Sequence, residues 1–157
     1  MGVLRRLRDL FRRAGEPGLD PDDPGLRVVA EAFDDAEADS AVLARSVATG
    51  LRVDRPAVLR HHLVLPGRAV EEAGRLLALD DWSVRPAPAG GPPDEGAPEP
   101  AGDGLVRLAA VRVQHLDALH CAQARSRMAG LAQRLGGTAL GWDALQPPAG
   151  DDGAARR

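Results

Sequence analysis

The chain has 157 residues, with 20 basic and 23 acidic side chains and a net charge of −3. That length suffices for one domain with a real core, and the charge disfavours general nucleic-acid binding, which needs an excess of cations. A single cysteine, Cys121, excludes an internal disulfide framework and a cysteine-based zinc site, and no run of about 20 apolar residues is present to span a membrane.

Every basic residue is arginine, and Lys, Ile, Asn and Tyr are absent. Those four types use AT-rich codons, so the composition points to a very GC-rich bacterial genome, such as an actinobacterial one. It also weakens any reading of an arginine cluster as a phosphate site. The charge is uneven. Residues 1–14 hold five Arg and one Asp, a net of +4, which against the total of −3 leaves −7 for the remainder.

Residues 3–13 read as a short basic amphipathic helix. Val3, Leu4, Leu7, Leu10 and Phe11 share one face and arginines cover the rest. Such a helix could touch an anionic membrane surface peripherally, although its length is marginal for a helix standing alone. Its charges occupy the place of a signal peptide's apolar region, so a cytoplasmic location is expected. Residues 15–25 are a Gly/Pro/Asp linker. Residues 26–49 read as a helical extension, with a possible break at Asp34-Asp35 and a stop at Gly50. Asp54-Arg55-Pro56 then turns the chain.

Residues 57–65 alternate as a strand. Leu59, His61, Leu63 and Leu65 face one way, and Val58, Arg60, His62 and Val64 face the other. A helix over 68–79 follows, then a short strand from Trp82 to Arg85. Residues 86–103 are rich in Pro and Gly and form an expected flexible loop. A third strand is expected over 104–113. Asp117 caps a helix whose stripe is Cys121, Ala124, Met128, Leu131 and Leu135. A fourth strand spans 138–145, and 147–157 is a polar tail. Two β-α-β units separated by a loop define an α+β, ferredoxin-like split sandwich over 57–146. Its four-stranded antiparallel sheet would carry helices on one face. The second face would be open, or covered by the helix at 26–49.

The chemistry-bearing residues are sparse. His61 and His62 are adjacent on a strand, face opposite sides and cannot chelate one metal. His61 sits among leucines as a core histidine, whereas His62, beside Arg60, is the better candidate for an exposed contact. His115, His120 and Cys121 lack metal-site spacing, and Cys121 lies on a core stripe. Gly136-Gly137 follows a helix, so it is no phosphate loop. No catalytic residue, metal or cofactor is expected. Trp82 reads as core. Trp142, preceded by a glycine that admits another backbone, reads as a partly exposed interface anchor.

The strand Arg60-His61-His62-Leu63, the helix ending at Gly50, the Asp54-Arg55-Pro56 turn and the Gly141-Trp142 ending resemble, in order and spacing, the regulator of ribonuclease activity B family. The resemblance covers roughly residues 40–146. It implies a non-catalytic, ferredoxin-like protein that binds ribonuclease E and damps RNA cleavage; the acidic body of the chain adds the expectation of no direct contact to nucleic acid. Ala139 and Leu140 stand where family members commonly place an aromatic and an acid. The partner-binding candidates are Arg60, His62, Trp142 and Asp143. The alternative is a ferredoxin-like sensor of a small ligand.

Overall fold

A computed structural model describes residues 18–88 and 104–150. The basic helix expected at 3–13, most of the loop at 86–103 and the tail beyond 150 lie outside the described residues.

Five strands form one antiparallel sheet: β1 (Arg27–Ala32), β2 (Ala57–Pro66), β3 (Ser83–Pro86), β4 (Leu105–Gln114) and β5 (Thr138–Gln146), in the spatial order β1-β5-β2-β4-β3. Three helices, α1 (Asp39–Ala48), α2 (Val70–Ala78) and α3 (Ala118–Arg134), contribute to the main core. The architecture is α+β. No described helix is long and apolar enough to cross a membrane.

The alternation of β2 decides which side chains meet. Ala57, Leu59, Leu63 and Leu65 join Val42 and Leu43 of α1, Ala73 and Leu77 of α2, and Cys121, Ala124, Met128 and Leu131 of α3 in the main core. The apolar residues of α3 recur at helical spacing, so one face is buried along its length. Asp117 starts that helix by accepting the His120 backbone N–H at 2.8 Å, which supplies one of the donors that a helix start leaves unpaired.

Two expectations need correction. Residues 27–32 are a strand, not the start of a helix, and the sheet has five strands instead of four. β1 pairs along β5, with Ala32 opposite Trp142 and Glu31 opposite Asp143. The β5 edge would otherwise carry unpaired backbone groups, and β-sheet pairing overrides the weak helical preference of this stretch. The break at Asp34 is real: its carboxylate accepts the Ala36 N–H at 2.9 Å, and the helix begins only at Asp39. That helix packs into the main core, on the same side of the sheet as α2 and α3.

The second face is therefore covered differently. Leu19 and Leu26, from the segment before β1, pack on Val58, Ala109 and Val111. Asp22 in the same segment forms an ion pair with Arg85 of β3. Residues 18–26 thus run as a strap over the face that the helices leave bare. Asp20 and Asp23 shape the strap, accepting the Asp22 and Gly25 N–H groups at 2.9 and 2.8 Å.

Two glycines are required by close approach. A Cβ on Gly137 would stand 2.0 Å from the Val64 carbonyl oxygen, and one on Gly141 would stand 2.3 Å from that of Ala32. Gly141 also has φ of 126°, which side chains rarely allow. It follows a bulge: His62 faces Gly141 and Leu63 faces Ala139, leaving Leu140 without a partner. Gly137→Ala should cost about 2–3 kcal/mol, the upper range for overpacking, because backbone cannot step aside as a side chain can. Chemical denaturation would measure it. A loss below about 1 kcal/mol would show that the β2–β5 pairing yields easily.

Candidate functional site

The two segments that carry the family resemblance are about 80 residues apart in the chain but adjacent in the sheet. Arg60 faces Asp143, His61 faces Trp142, and His62 faces Gly141 across the central β2–β5 ladder. Arg60 holds Asp143 with two hydrogen bonds, Nε to Oδ1 at 2.7 Å and Nη2 to Oδ2 at 2.5 Å, the forked geometry that suits a carboxylate. Nε2 of His62 lies 3.2 Å from Asp143 Oδ1. It is off-axis for a hydrogen bond, so neither His62 nitrogen has a hydrogen-bond partner. The Phe33 ring meets the His62 ring edge-on at 5.5 Å between centroids. Burial pushes the Asp143 carboxyl up, but His62 and Arg60 beside it hold it below the ordinary value.

Three of the four residues expected to contact a partner are buried. His62, Asp143 and Trp142 retain 2%, 4% and 0% of their surface. The exposure expected for His62 and Trp142 is thus corrected. His62 meets the ring of Phe33, the residue that follows β1, in a stretch whose sequence pattern predicts a helix. Trp142 points into the helix-side core and donates its indole N–H to Asp39 Oδ1 at 3.0 Å. Asp39 opens α1 and also lies 3.5 Å from Arg125 of α3. The backbone that Gly141 admits belongs to β1 of the same chain. Only Arg60 of the four keeps appreciable side-chain surface, at 19%. The small exposed areas of His62, Asp143 and Trp142 leave these three side chains little surface to offer to a docked protein.

His61 and His62 do face opposite sides, as strand alternation demands. His61 packs edge-on to Trp82, with ring centroids 5.4 Å apart. Its pKa is lowered to about 3, first by burial and then by the nearby charges of His62 and Arg125. Cys121 is buried, and burial pushes its thiol up to about 12. It is an inert core group rather than a nucleophile. Among the described residues no group of three or more His, Cys, Asp or Glu could hold a metal ion.

One feature escaped the sequence reading. A cleft of about 430 Å³ opens between the end of α2 and the first half of α3. Arg112 of β4 lies in its wall, with its guanidinium carbon 4.2 Å from the centre of the Trp82 ring. The available signal was alternation: Arg112 shares the inward row of β4 with Leu108 and Ala110. A charged residue on such a row is unusual.

Comparison with protein-family models, with curated proteins and with solved structures gives no match for this chain.

Proposed function

We propose that this chain is a non-catalytic, protein-binding regulator of a ribonuclease E/G-type endonuclease, acting on RNA turnover through the enzyme instead of through RNA. One observation carries the reading. Arg60-His61-His62-Leu63 and Gly141-Trp142, the separate pieces of the resemblance, pair in register at the centre of the sheet. They are therefore one structural unit, and their joint occurrence in the sequence has a physical cause. The finer fold assignment, a ferredoxin-like split sandwich, is part of the same proposal. The strand order β5-β2-β4-β3 supports it, because the first strands of the two β-α-β units lie side by side in the middle. β1 is then an addition at the β5 edge. The net charge of −3 fits a protein that avoids RNA and meets arginine-rich segments of an RNA-processing enzyme.

The test is a cleavage assay with the host's purified ribonuclease E/G-type enzyme and a fluorogenic single-stranded RNA. Added protein should lower the rate saturably and co-elute with the enzyme, while failing to retain the RNA alone on a filter. An unchanged rate at stoichiometric excess, with no co-elution, would overturn the proposal.

A further inference from the structure

The direction of the strap at 18–26 fixes where the chain before it emerges. Asp22 is tied to Arg85 of β3 at one edge of the sheet, and Arg27 starts β1 at the other. The strap therefore crosses its face from the β3 edge to the β1 edge. Traced backwards, it leaves Gly18, the first described residue, on the β3 side.

Around that same edge lies the cleft between α2 and α3. Residues 79–82 form one wall of it and lead directly into β3. Two large apolar side chains stand bare beside it. Leu79 is 75% exposed, and Leu119, one helical turn before Gln123 of the opposite wall, is 63% exposed. Single exposed leucines are commonplace, but these two flank one opening. The cleft also carries charge. Asp80 and Asp81 stand in its wall, and Arg112 and Arg127 balance part of that charge.

The sequence supplies a cover. Val3, Leu4, Leu7, Leu10 and Phe11 make an apolar stripe at helical spacing. A segment of that length is marginal as a helix alone, so its order has to come from a surface. Residues 1–14 carry +4 and the rest of the chain −7, so the segment is drawn to the body it precedes. The five steps from Arg13 to Gly18 reach up to ~17 Å when extended, more than the ~10 Å depth of one packed layer. Being tethered, the segment meets the cleft at a high effective concentration, which a free partner lacks.

We propose that residues 3–13 of this chain dock across the cleft between α2 and α3, with the apolar stripe against Leu79 and Leu119. The contact is independent of the proposed ribonuclease binding, and either can fail alone.

The experiment uses the full chain, labelled with ¹⁵N, carrying Arg8→Cys with a nitroxide on the new thiol. Arg8 lies off the apolar stripe, and Cys121 is buried and escapes the label. Against the reduced nitroxide, the amides of Leu79, Asp80, Leu119 and Gln123 should lose most of their intensity, while those of Val28 and Glu31 at the far edge keep theirs. Leu79→Asp changes an exposed side chain and should restore most of the lost signal with the folded spectrum intact. Leu7→Asp combined with Leu10→Asp, outside the folded body, should do the same. A sample mixing nitroxide-bearing ¹⁴N chains with unlabelled ¹⁵N chains should show no loss. Loss in that mixture would make a second copy the occupant and overturn the proposal. So would the absence of any loss, loss centred on another face, or loss that survives both sets of substitutions.

Discussion

Asp143→Ala should destabilise the fold by about 3 kcal/mol, the cost of leaving a largely buried cation without its partner. The carboxylate neutralises Arg60 through two hydrogen bonds and sits 3.2 Å from the His62 ring. Its removal leaves the Arg60 charge, whose side chain keeps only 19% of its surface, without its carboxylate. Replacing both partners with apolar residues, Arg60→Met with Asp143→Leu, should recover most of that loss, since a buried ion pair is often no better than well-packed hydrocarbon. Urea unfolding of the two single variants and the double variant would measure the coupling. A loss below about 1 kcal/mol in Asp143→Ala would show that Arg60 swings out to solvent, and that the pair does not hold β2 to β5.

Acid should unfold the protein earlier than its carboxylates alone would require. His61 is neutral in the fold, with its pKa lowered to about 3 from 6.5 by burial. The sign follows from proton counting. Between those two values the unfolded chain binds a proton that the folded chain refuses, so stability is complete above pH 6.5 and falls as pH drops towards 3. At about 1.4 kcal/mol for each pH unit, the loss from pH 6.5 to pH 4 is roughly 3 kcal/mol. Asp143 acts in a lower window. Its folded pKa lies below the ordinary 3.8, so its contribution is intact above that value and disappears only as pH falls through the folded pKa. His61→Leu separates the two. The imidazole Nε2 has no hydrogen-bond partner, so the variant should match or exceed the wild type at pH 7.5 and lose the slope between pH 6.5 and 4. Stability curves at pH 7.5, 6, 5 and 4 would check this, and an unchanged slope in the variant would assign the proton to another group.

How much of this was legible beforehand depended on the range of the forces involved. The α3 stripe from Cys121 to Leu131, the Asp117 cap and the alternation of β2 are local patterns, and each corresponds to what the chain adopts. β1 was hidden because Arg27–Ala32 is a strand through its pairing with β5, over 100 positions along the chain. That error carried the site with it. Once β1 is absent from the reading, nothing covers His62, and the backbone admitted by Gly141 has to come from another protein. Trp142 was misjudged for the same reason: its polar atom is satisfied by Asp39, a contact that local spacing cannot show. Arg112 was visible as an arginine on an inward row, but its meaning needed Trp82, thirty residues earlier, as the surface beneath it.

The strap at 18–26 makes the two faces of the sheet unequal in what it takes to bare them. The helix side is secured by Trp142, Met128, Leu77 and Leu59 in one continuous core, and opening it means global melting. Among the described residues, the strap side rests on Leu19, Leu26 and an ion pair from Asp22 to Arg85. Any shortened version of this chain that begins at Arg27 would carry Val58, Ala109 and Val111 uncovered at the middle of its sheet. Such a fragment would be sticky for reasons unrelated to its natural partner. The first residues before the sheet therefore belong to the folded unit, and trimming them would manufacture a binding surface that the intact protein keeps closed.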